Sequence, residues 1–111
     1  MNLFEELQVK IQQLDDSVKR LRVNGTAYAQ AEKDYKILLR QECLKLRDEG
    51  MAIGMIDKTC YGILSVAEAR FKRDVAQATY QANQEAINSI KLELRLIEGQ
   101  INREYGANLS D

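Results

Sequence analysis

The densest group of side chains able to do chemistry is Arg70-Phe71-Lys72-Arg73-Asp74, followed by Gln77 and Tyr80. On a helix Arg70, Arg73, Gln77 and Tyr80 share one side, because neighbours on a helix surface lie three and four residues apart. Two guanidinium forks and a phenol placed in this way can meet a phosphate and a base, since Arg takes phosphate oxygens bidentately and aromatic rings stack. The same spacing also allows a purely structural use: Glu68 paired with Lys72, Arg70 with Asp74, and Tyr80 set in a helix interface. The residues alone leave both uses open. If the cluster binds a ligand, the glycine-containing stretch before it can close over that ligand, and a two-fold partner would supply a second copy of each group.

Other chemistries find less support. Histidine is absent, which removes the usual general base near neutral pH and the commonest zinc ligand. Cys43 lies on an apolar helical face and reads as core, and Cys60, in a connector, reads as core or bystander. Nowhere are two carboxylates spaced three apart as Glu-x-x-Glu or Glu-x-x-Asp, so paired acidic ligands for magnesium are not expected. Neither glycine-rich phosphate loop is present. Lys19, Arg20 and Arg22 form a second basic patch, largely neutralised by Asp15 and Asp16, and it reads as a solvated face. The expectation is a protein that is not an enzyme and uses no metal or cofactor.

The elements that must position these groups are helices. Phe4, Leu7, Ile11, Leu14, Val18 and Leu21 alternate steps of three and four, the pattern of a coiled-coil seam, and predict a helix over 3–23. Val23, Asn24, Gly25 and Thr26 punctuate it: Asn-Gly suits a helix C-terminus and Thr26 suits the next N-cap, although the apolar rhythm also permits one bent helix over 3–49. Tyr28, Tyr35, Leu38, Leu39, Cys43 and Leu46 carry a second helix over 27–49, with Gly50 as its C′ residue. Residues 50–64 form a connector with a short helical turn, and its Ile53, Met55, Ile56, Ile63 and Leu64 are too apolar for a solvated loop. Ser65 and Glu68 read as a capping box that opens a helix over 65–105, near 60 Å long at about 1.5 Å per residue.

Along that last helix Ile87, Ile90, Leu94, Ile97 and Ile101 make one apolar stripe, which ends at Tyr105. Leaving such a stripe in water costs roughly 25 cal/mol per Å², so it is expected to lie against another helix and is the predicted oligomer interface. The fold class that follows is all-α: an elongated helical hairpin or three-helix bundle with a long C-terminal helix, one domain over 1–111, completed by dimerisation. With 16 basic and 17 acidic residues the chain has no global field favouring nucleic acid or an acidic membrane. No apolar run approaches the roughly 18 residues needed to span a bilayer. Two cysteines and an N-terminus without a basic start or apolar run point to a cytosolic protein with reduced thiols.

Several runs resemble small early-region proteins of tailed phages and prophages of Gram-positive bacteria: Asn24 to Tyr35, Leu46 to Gly50, Ala69 to Ala76 with Tyr80, Glu85 to Lys91, and Arg103 to Tyr105. The likeness covers most of the chain and carries no motif of assigned chemistry; Met51 stands where members often have a proline. The resemblance implies a small protein of the host cytoplasm, made beside replication, recombination and anti-defence functions. The resulting expectation is a homo-oligomer, dimeric or higher, that blocks or sequesters a host defence protein or a phosphorylated signal nucleotide. The competing expectation is an accessory factor of phage DNA replication or recombination that touches DNA or a replication protein.

Overall fold

A computed structural model describes residues 1–109. The chain is all-α among the described residues, with three helices: α1 (Leu3–Asp48), α2 (Ile53–Cys60) and α3 (Leu64–Leu109). None of them is long and apolar enough to cross a membrane.

Each helix boundary has a local cause. At the start of α1 the Asn2 side-chain oxygen accepts the Glu5 backbone N–H at 2.9 Å, satisfying one of the donors that a helix N-terminus leaves open. At its end Gly50 adopts a φ of +89°, which disfavours any side chain. There the Gly50 N–H bonds the Arg47 carbonyl at 3.0 Å and the Met51 N–H bonds the Leu46 carbonyl at 3.1 Å. This is the Schellman closure expected of Gly50. The connector's helical turn is the eight-residue α2, which buries Ile56 and Cys60. Ser65 is not the cap of α3: the helix begins at Leu64, which puts Ser65 and Glu68 inside its first two turns. The turn before it is closed by backbone bonds from Gly62 to Thr59 and from Ile63 to Cys60, and the Ala67 N–H bonds the Ile63 carbonyl at 2.9 Å, which puts Ile63 at the N-cap position.

The break expected at residues 23–26 is absent, and α1 runs unbroken through them. The three-four rhythm carries across Gly25, whose missing side chain has a use: a Cβ there would lie 3.0 Å from Cε2 of Tyr80. A glycine that weakens a helix interior by about 1 kcal/mol is here the site of a close ring contact.

Contacts divide the chain into two compact units, one made of residues 1–23 with the stretch from Gln81 onward, the other of residues 24–80. In the first unit the N-terminal part of α1 lies against the C-terminal part of α3. Phe4 meets Tyr105 edge to face with centroids 5.7 Å apart, Lys10 pairs with Glu93, and the Asn83 amide donates to the Ser17 carbonyl at 3.1 Å. Ile87 is buried, and Ile90, Leu94, Ile97 and Ile101 are half-buried. The stripe assigned to an oligomer interface therefore finds much of its cover within the chain.

The seam of α1 also differs from the one expected. Leu7, Leu14 and Leu21 turn inward, but Phe4, Ile11 and Val18 remain 50%, 40% and 50% exposed. The column between the leucines is instead Lys10, half-buried, and Ser17, fully buried. Both are satisfied there, Lys10 by Glu93 and the Ser17 hydroxyl by an Arg20 guanidinium N–H at 3.0 Å, so the polar column can face the partner helix.

In the second unit Tyr35, Cys60 and Val66 form the core, with Leu38, Leu39, Cys43, Leu46, Ile63 and Ala69 packed around it. The residues of this core come from all three helices and the turn between α2 and α3, so the short α2 is anchored by its own buried face.

Candidate functional site

The group Arg70, Arg73, Gln77 and Tyr80 sits in the second unit, but no polar contact joins its members. Arg70 is exposed and Gln77 half-buried. Arg73 is committed twice: Nε and one terminal nitrogen donate to the same Asp74 oxygen at 3.1 and 2.8 Å, and the guanidinium carbon lies 4.6 Å from the centroid of the buried Tyr35 ring. The hydrogen bond to Asp74 raises the Arg73 pKa above its ordinary value. Tyr80 packs over Gly25 and beside Tyr28, with ring centroids 6.1 Å apart. Asp74 thus pairs with Arg73 rather than Arg70, and the Tyr80 ring lies between α3 and α1. Cation–π contact and ring packing between helices are interactions between distant sequence positions, which helical spacing on α3 alone does not reveal.

Several depressions mark the surface of the second unit among the described residues. One, about 590 Å³, runs between α1 and α3 over Ala27, Ala31 and Ala69, with Asp34, Glu68 and Lys72 along it. It exists because alanines face each other where larger side chains would fill the gap. A shallow one of about 400 Å³ lies beside the exposed Phe71.

Another, about 360 Å³, is built by α1 and α2 from Arg40, Cys43, Leu44, Arg47, Ile53 and Ile56. Arg40, Cys43, Leu44 and Arg47 follow each other at helical spacing on α1, which sets two guanidinium groups one heptad apart along one edge. Neither Arg40 nor Arg47 makes an ion pair among the described residues, whereas Lys10, Lys36, Lys45 and Arg73 each do. Around this groove and along α2 large apolar side chains remain in water: Ile53 is 82% exposed, and Leu44, Met55, Tyr61 and Leu64 are exposed as well. The connector's apolar residues thus divide, Ile56 packing inward and Ile53 and Met55 facing out.

Beneath the groove the two cysteines meet. The Cys43 thiol donates to Cys60 Sγ at 3.1 Å, and the Cys60 thiol donates to the Leu39 carbonyl at 3.6 Å. Cys43 is half-buried, Cys60 fully buried, and both are free thiols. Burial, and next the hydrogen bond from Cys43, push the Cys60 thiol up to about 11. Their encounter depends on how α2 folds back on α1, so nothing in the spacing of 43 and 60 announced it.

Among the described residues no cluster of three His, Cys, Asp or Glu side chains is placed to hold a metal ion. Comparison with models of known protein families, with curated protein sequences and with solved structures gave no match.

Proposed function

We propose that this chain is a non-enzymatic, phage-encoded helical binding protein that docks on a host protein in the host cytoplasm and inhibits or sequesters it. The groove between α1 and α2 is the contact surface. One observation carries the reading: an eight-residue helix holds Ile53 82% exposed beside two arginines that make no ion pair among the described residues. Exposed apolar area costs roughly 25 cal/mol per Å², and an apolar floor edged by Arg has the composition of a binding surface. Its chemistry suits an acidic amphipathic segment, whose apolar side chains would enter against Leu44, Ile53 and Ile56 while its carboxylates meet Arg40 and Arg47. A phosphorylated nucleotide is a poorer fit, because Arg73 already spends two donors on Asp74.

The chain is also proposed to self-associate. With the Ile87 to Ile101 stripe largely covered, the Phe4, Ile11 and Val18 column of the first unit is one apolar surface open to a second copy.

A photo-crosslinking amino acid at Leu44, in host cells producing the protein, tests the proposal. One host protein should be captured, and the double substitution Arg40→Glu with Arg47→Glu should abolish the capture while leaving helicity unchanged. Capture unaffected by both reversals, or labelling of nucleic acid in its place, refutes the assignment.

A further inference from the structure

We infer that Cys43 and Cys60 are a redox-active dithiol: exchange with a small-molecule disulfide links their sulfurs within one chain and ties α2 to α1. The inference is independent of what protein occupies the groove. Three observations support it. The sulfurs are 3.1 Å apart, inside the range of roughly 3–3.5 Å at which bound groups are poised to react. They come from different elements, α1 and α2, so their bond would fasten one to the other. Access is one-sided: Cys43 lines the groove, whereas Cys60 is fully buried behind it.

The order of events follows from that access. A small disulfide enters between Arg40 and Arg47, whose charges favour any carboxylates on the reagent. The Cys43 thiolate attacks one sulfur, and the other leaves as a thiolate that takes a proton from water. Cys60 then loses its proton and attacks Cys43 Sγ, expelling the second small thiolate. Two protein thiols have been oxidised to one disulfide and one small disulfide reduced to two thiols, so electrons and protons balance. The second exchange is the slow one near neutral pH, because burial and the nearby Glu42 and Asp57 charges favour the protonated Cys60 thiol.

Incubation of the full chain with oxidised glutathione, followed by intact-mass and tryptic mapping, is the test. The wild-type protein should lose two hydrogens, retain no glutathione, and yield residues 41–45 linked to residues 59–70. Cys60→Ser should stop at a stable glutathione adduct on Cys43, and Cys43→Ser should leave Cys60 unmodified in the native protein. Wild-type protein that keeps its glutathione, keeps both thiols free, or links only between chains overturns the inference. So does a Cys43→Ser variant that reacts as fast as the wild type.

Discussion

Replacing Gly25 by alanine sets two known effects against each other at one atom. An alanine in a helix interior is worth about 1 kcal/mol over glycine, through backbone entropy alone. The added Cβ, however, would stand 3.0 Å from Cε2 of Tyr80, with Cδ2 and Cζ at 3.6 Å. Ordinary carbon contacts lie near 3.5–4.0 Å, so the ring has to retreat by about 0.5 Å. Tyr80 is half-buried with Tyr28 alongside, and forced repacking of this kind costs typically 1–3 kcal/mol. Taking the middle of that range, Gly25→Ala should destabilise by about 1 kcal/mol. In a Tyr80→Ala background the obstacle is gone, and the same change should stabilise by about 1 kcal/mol, a coupling of roughly 2 kcal/mol. Urea unfolding of the four proteins followed by circular dichroism measures it. If Gly25→Ala stabilises both backgrounds equally, the account of why a glycine sits in the middle of α1 fails.

Arg73→Ala should lower stability by roughly 0.5–1 kcal/mol through loss of the contact with Tyr35, and in Tyr35→Leu protein the same change should do almost nothing; equal losses in both would deny the stacking a role. Closing the Cys43 to Cys60 link, which spans 17 positions, should stabilise by about 3 kcal/mol on the chain-entropy account, visible as a higher urea midpoint without reductant than with it. The Cys60 thiol has an ordinary pKa of 9.0 and is raised to about 11 in the fold, so the folded state holds its proton more tightly than the unfolded chain. Its contribution is therefore intact below about pH 9 and is lost as pH climbs toward 11. Under reducing conditions wild-type stability should fall more steeply over that interval than that of Cys60→Ser, and parallel curves would contradict it.

Where a signal is local the sequence is legible, and where it needs a partner it is not. Gly50 as a helix stop and the long α3 follow from backbone chemistry and from apolar periodicity, and both are found in the structure. The seam of α1 was ambiguous because Leu7, Leu14 and Leu21 belong equally to a row with Phe4, Ile11 and Val18 and to a row with Lys10 and Ser17. Hydrophobicity favours the first row. The second faces α3 because Glu93 and Arg20 satisfy its polar groups, and of these Glu93 lies outside any local window. The same holds for the chemistry: Arg73 looked available until Tyr35, nearly forty positions away, was seen beneath it. The groove of Arg40 and Arg47 was invisible because it exists only once α2 folds onto α1.

Within the first unit, the amide of Asn83 reaches a main-chain carbonyl at Ser17, where the side chain is small enough to admit it. A slip of one heptad would press Asn83 against the stem of Lys10 and strand its amide in a dry seam. The pair therefore acts as a ruler for antiparallel alignment. It follows that position 17 tolerates only small residues, whatever their chemistry, because the acceptor there is main chain. Distant kin whose surfaces have drifted beyond recognition should still betray themselves by a small residue at the first position and an amide at the second.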